Sequence, residues 1–249
     1  MQVTGIMLAL LDMPAWCTEE YNRWYDLDHM PEHVSKGDVL MGRRYVATRT
    51  LRDVDGAQPS EWLGGYPPYL TNYWFGGPLD FNGEEAAEGW RAKDRVIVKG
   101  GRFWQLGRST HASRWHLADA RARPGVLVDK AAVPYLAHRG VIVAVGRSPK
   151  PERVDEAVAW WDTVHLVDLF TVPGLLAAVR FSPADSSHDG LVFHLLLCEE
   201  PPEDVMAGIQ RAKRAWEATG RFPAFGGVYE EMAFLPYQTI IPLEYGFDI

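Results

Sequence analysis

The chain repeats itself. Ile6-Met7-Leu8-Ala9-Leu10 stands beside Ile142-Val143-Ala144-Val145-Gly146 at an offset of 136 residues, and both are apolar runs of strand length bounded by breakers. The same offset aligns Glu20 with Glu156, Trp24 with Trp160, Tyr25 with Trp161 and Asp26 with Asp162. It goes on to align His29 with His165, and Arg44-Tyr45 with Arg180-Phe181, without a gap. Two Trp-aromatic-Asp-x-x-His blocks between matching strands mark an internal duplication. A chain of 249 residues built this way divides into two units, 1–124 and 125–249, each the size of a small domain.

Each unit reads as strand, helix, strand, strand, helix, strand. The segments fall near 3–11, 18–30, 42–49, 69–76, 82–94 and 102–109 in the first unit. In the second they fall near 139–147, 152–170, 175–182, 190–198, 202–218 and 226–235. Tyr21, Trp24, Tyr25 and Asp28 recur at helical spacing, as do Val154, Ala157, Val158, Trp161 and His165. Thr18 and Pro151-Glu152 supply starts; Pro31 and Pro173-Gly174 supply stops. Strand–helix–strand taken twice gives an antiparallel four-stranded sheet with two helices on one face, an α+β unit. Its other face needs a cover, and the second copy supplies one. Segment 110–138 is then the connection, partly ordered at that length. Pro236 to Ile249 is expected as an extended arm against the body.

The net charge of −8, with no Lys/Arg run beyond a cluster such as Arg211, Lys213 and Arg214, argues against a nucleic-acid partner. Cys17 and Cys198 lack disulfide or metal-ligand spacing. The first residues carry an apolar run without a basic leader or cleavage site, too short to span a bilayer. The expected protein is cytoplasmic, binds a small molecule rather than nucleic acid or membrane, and leaves room for a homo-oligomer. No Gly-rich phosphate cradle is present, so no nucleotide cofactor is implied.

Trp24-Tyr25-Asp26-Leu27-Asp28-His29-Met30-Pro31-Glu32-His33, followed by Gly42-Arg43-Arg44-Tyr45, resembles the helix-then-strand signature of the dimeric α+β barrel superfamily. Pro68-Tyr69-Leu70-Thr71-Asn72-Tyr73-Trp74-Phe75 resembles its third strand; the second unit has no such match. The resemblance implies two ferredoxin-like βαββαβ units joined in one chain as a barrel. It leaves the reaction open, because the superfamily includes isomerases, cyclases, cofactor-free monooxygenases, haem enzymes and proteins without known activity.

Asp26, His29 and His33 are the sharpest constellation. Residues three apart on a helix are neighbours, so Asp26 is placed to orient His29 as a general base or acid. His33 is an auxiliary acid or binding group, with Leu169 in its place in the second unit. Tyr73 and Arg44 are candidates to hold developing negative charge, and Arg180 repeats Arg44. Trp24, Tyr25, Tyr69 and Trp74, with Tyr73, are the candidate lining of an apolar pocket. His29-Met30-Pro31-Glu32-His33 fits the letters of a zinc motif, but Pro31 is expected to break the helix that motif needs. No metal is expected, and no cofactor, with haem open through the resemblance alone. The reading is a cofactor-independent isomerase, cyclase or lyase acting next to a carbonyl of an apolar or aromatic substrate. A non-catalytic ligand-binding barrel, a haem protein and a cofactor-free monooxygenase are the alternatives.

Overall fold

The computed structural model describes residues 2–35, 39–76, 106–221 and 228–249. Its strands are β1 (Val3–Asp12), β2 (Val39–Val46), β3 (Tyr69–Gly76), β4 (Arg108–Ala122), β5 (Gly140–Arg147), β6 (Leu175–Pro183), β7 (Leu191–Cys198) and β8 (Glu230–Thr239). They close into one antiparallel barrel in the order β1-β3-β2-β8-β5-β7-β6-β4. Within each half the fourth strand lies beside the first, then the third, then the second. That is the order expected of two ferredoxin-like units. Their inner faces share one core, with Leu8, Tyr45, Leu70 and Trp74 meeting Val143, Phe181, Phe193 and Leu235. Each sheet thereby covers the other's apolar face.

The two seams between the halves differ. β4 and β6 pair from Trp115↔Pro183 to Ala122↔Ala177. β2 and β8 pair only at Tyr45↔Thr239 and Val46↔Gln238. Further along, Gln58 pairs with Phe234, and the Tyr66 hydroxyl donates to the Pro236 carbonyl. In a strand, the N–H and C=O of one residue point the same way. The donor that Pro236 lacks therefore faces this opened seam, where no neighbouring strand asks for it.

Outside the barrel wall lie two helix–sheet layers. Cys17, Tyr21, Tyr25, Tyr69 and Tyr73 fill the first, and Ala157, Trp161, Leu166, Leu196 and Ile209 the second. No helix among the described residues is long and apolar enough to cross a membrane.

Three sequence expectations change. The strand placed at 102–109 begins at Arg108 among the described residues and runs to Ala122, so half of the supposed connection is barrel wall. Its alternation hides it, since only one side, with Trp115 and Ala120, is core. The last strand runs Glu230–Thr239 rather than 226–235, carrying Pro236 inside it. The gapless repeat also conceals a slip. Leu8 faces the barrel interior while its partner at offset 136, Ala144, faces the outer layer; Val143 and Val145 face inward. One residue of slip reverses every side chain of a strand. The helix expected at 82–94 and residues 102–105 lie outside the described residues.

Candidate active site

The Trp-aromatic-Asp-x-x-His block folds alike in both halves. A short α-helix, Thr18–Trp24 or Val154–Trp160, widens into a single π-turn, Tyr25–His29 or Trp161–His165. The Met30 N–H donates to the Tyr25 carbonyl, five residues back. This width brings residues five apart together. Trp24 stacks on His29 at 4.7 Å, and Trp160 on His165 at 4.8 Å. It also changes the role expected of Pro31. Met30 keeps helical angles, φ −64 and ψ −49, and the helix continues to Val34. A proline ring ordinarily collides with the carbonyl four residues back; here that carbonyl belongs to Leu27, inside the widened turn.

The same turn separates Asp26 from the partner expected for it. Asp26 faces the sheet, where its Oδ1 accepts from Arg44 Nη1 at 2.7 Å and its Oδ2 from the Tyr245 hydroxyl at 2.7 Å. Three-residue neighbours share a face on an α-helix, but not on a wider turn. Arg44 is buried in this outer layer, on the face of β2 opposite the barrel interior. It also donates to the Asn22 carbonyl at 3.4 Å and to the Asn22 side-chain oxygen, and lies 4.2 Å over the Tyr25 ring. Arg43, on the other face of β2, reaches the Leu136 carbonyl at 3.1 Å and His138 Nδ1 at 2.8 Å.

Beside this ion pair runs a circuit of rings. The Tyr25 and Tyr73 hydroxyls are 2.6 Å apart. The Tyr73 ring is 5.0 Å from His33, His33 is 4.5 Å from His29, and His29 is 4.6 Å from Tyr25. All four are buried, with 4% exposure or less. Burial pushes both phenols well into their protonated range, so they act as hydrogen-bond donors at neutral pH. The Tyr69 hydroxyl accepts from Asn22 Nδ2 at 3.1 Å, behind the pair.

Asp26, His29, His33, Tyr73, Trp24, Tyr25, Arg44 and Tyr69 thus share one layer. Trp74 does not join them. It points into the barrel, 5.9 Å from Phe181, because consecutive strand residues face opposite sides. Asn22 and Tyr245 complete the layer without having stood out in the sequence, and Tyr21, read there only as a helix position, joins them. Tyr21 and Asn22 lie one helical turn before Tyr25 and Asp26, a signal that was there to read. Tyr245 had none, being 219 residues from Asp26.

The second layer keeps the frame and changes the contents. Trp161 replaces Tyr25 and packs on His194 at 4.0 Å, and the strand opposite carries Leu195-Leu196-Leu197. Asp162 keeps its arginine, Arg180, at 3.3 Å. His29 and His33 sit on one continuous helical run, so Pro31 is no obstacle to their sharing a metal. Among the described residues, however, no three His, Cys, Asp or Glu are grouped to hold one. A haem plane against His29 or His33 would have to displace Trp24, Tyr25 or Tyr73, which pack on those imidazoles. As packed, neither His29 nor His33 fits it.

No protein-family model matches the chain, and no curated protein is similar to it in sequence. Solved structures are similar in fold. An anthrone oxidase-like protein is 13% identical, with a TM-score of 0.51, over 97% of this chain and 92% of that one. A chlorite dismutase from Candidatus Nitrospira defluvii is 10% identical, with a TM-score of 0.56, over 97% and 92%. A dye-decolorizing peroxidase from Bacteroides thetaiotaomicron is 7% identical, with a TM-score of 0.56, over 96% and 93%. The chain therefore has the dimeric α+β barrel fold. Both ferredoxin-like units stand in one polypeptide, which makes it a tandem-fused form of that fold.

Proposed function

We propose that the first-half layer is the active site of a cofactor-independent enzyme that removes a proton next to a carbonyl of an apolar or aromatic small molecule. The observation that carries this reading is the Tyr25–Tyr73 phenol pair, set between the buried Arg44 and His33, with no counterpart among the described residues of the second half. A structural tyrosine needs one partner. Two phenols bonded to each other retain a second proton to donate, and they stand beside an imidazole.

In this reading His33, the imidazole next to Tyr73, takes the proton from carbon, and His29 backs it edge-on. The electron pair left behind forms an enolate, whose oxygen accepts from Tyr73. Tyr25 donates in turn to Tyr73, and the Arg44 charge over the Tyr25 ring favours negative charge on this chain of phenols. Return of the proton to a different carbon gives isomerisation; attack of the enolate within the substrate gives cyclisation. A positioned base contributes about 10²–10⁴ in rate, and one oxyanion donor about 10²–10³.

The test is a panel of ring-bearing ketones incubated with the purified protein under air, with chelator present and no cofactor added. An isobaric product formed by the wild type and lost in His33→Ala supports the reading. A product that has gained oxygen replaces it with an oxygenase.

A further inference from the structure

The duplicated aspartate is held in both halves by one residue of its own half and one of the other, though the residues and the oxygens they meet differ. Asp162 forms an ion pair with Arg180 of its own second strand at 3.3 Å, and accepts from Arg121, whose Nη2 lies 3.2 Å from Oδ2 and whose Nη1 lies 3.0 Å from the Asp162 carbonyl oxygen. Arg121 belongs to β4, the last strand of the other half. Asp26 accepts from Arg44 of its own second strand and from Tyr245. Tyr245 lies on the tail that continues β8, again the last strand of the other half. Each half is completed by the chain end of its neighbour.

The tail reaches Asp26 because β8 leaves the barrel early. After Thr239 its pairing to β2 ends, with the Ile240 N–H donating to the Arg44 carbonyl at 2.9 Å. The tail then crosses the first layer. Phe247 meets Tyr69 at 6.5 Å between ring centroids, and the Arg49 N–H donates to the Asp248 carbonyl at 2.8 Å. Leu243 takes φ +69, the one positive φ of a non-glycine residue among those described. A branched side chain adopts that region only when contacts on either side hold it there.

The exchange of a guanidinium for a phenol changes the electrostatics. Asp162 meets two cations, Arg121 and Arg180, whereas Asp26 meets one and a neutral donor. Among the described residues, Arg44 is consequently the one cation paired with this carboxylate, and it lies 4.2 Å over the Tyr25 ring. We propose that Tyr245 is a positioning residue of the first-half site: by fixing Asp26 it seats Arg44 over Tyr25 and so sets the phenol pair. Its effect on turnover rests on the function proposed above; the linkage itself does not. Burial and the bond to Asp26 raise the Tyr245 phenol, which keeps the donated proton in place at neutral pH.

The experiment uses the full chain with ζ-¹³C-tyrosine. Tyr25 and Tyr73 resonances are compared in the wild type, Tyr245→Phe, Asp26→Asn and the double variant. Tyr245→Phe keeps the ring and its packing, so a merely structural tail leaves both resonances unmoved. The expected result is that Tyr245→Phe shifts both, and adds little once Asp26→Asn is present. Unmoved resonances, or equal shifts with and without the Asp26 carboxylate, overturn the proposal. On a ketone that turns over, Tyr245→Phe should lower kcat several-fold with KM near its wild-type value. Shifted resonances with no turnover of any ketone count against the proposed function and leave the positioning role standing.

Discussion

Trp24 stacks on His29 across five residues, with ring centroids 4.7 Å apart and planes inclined by 30°, and Trp160 repeats the contact with His165 at 4.8 Å and 8°. The spacing marks a π-turn, so what the duplication preserves first is a backbone feature. Removing the ring that clamps it should therefore unfold more than a surface patch. Trp160→Ala should cost about 3–5 kcal/mol, the range for deleting a buried indole. Denaturant melts check this, and a loss below about 1 kcal/mol tells against the clamp.

Arg44 and Asp26 are both nearly buried, with side-chain exposures of 4% and 9%. Removing one partner of such a pair strands the other. Arg44→Met alone should cost about 3–5 kcal/mol, and adding Asp26→Leu should recover most of it. A double-mutant cycle reads the coupling directly. Additive losses mean that the ion pair contributes nothing of its own.

Four histidines tie stability to pH. Burial, with the Arg180 charge beside it, holds His194 well below its ordinary value. Burial holds His165 down to about 3, with the Lys213 charge adding to it. Burial, then the charge of Arg43, holds His138 at about 4, and burial holds His111 at about 4. In the unfolded chain each takes up a proton near 6.5. Between those values the unfolded state binds more protons, so stability is complete above about pH 6.5 and falls as pH drops toward 4. The melting temperature should decline between pH 7 and 5, before most carboxylates titrate. His165→Gln should make that decline shallower. A flat profile in the wild type contradicts the burial of these rings.

Much of this was legible in the sequence, for physical reasons. The strands β5, β6 and β7 are apolar runs buried on both faces, and such runs announce themselves. β4 is not, because one side meets solvent and its polar residues read as a linker. The helix was legible but its turn was not: three-residue spacing pairs Asp26 with His29 only if every turn is α-helical. Trp74 was grouped with Tyr73 by proximity along the chain, where strand alternation separates them. Tyr245 was out of reach, since nothing local relates the tail to Asp26.

His33 and Tyr73 are the pair on which the proposed chemistry turns, and they should separate from the frame in mutants. Tyr73→Phe removes a hydroxyl and little packing. Its cost in turnover should be about 10²-fold or more, while its melting temperature stays within a few degrees of wild type. Equal loss of activity and of fold would mean that the phenol pair is structural.

The most direct measurement is exchange of a carbon-bound proton with solvent. Ring-bearing ketones are incubated in D₂O with chelator and no added cofactor, and loss of the α-proton signal is followed by NMR. The wild type should accelerate exchange for at least one of them, and His33→Ala should slow it by about a hundredfold or more. No acceleration for any ketone, or acceleration that persists undiminished in both His33→Ala and His29→Ala, contradicts the account.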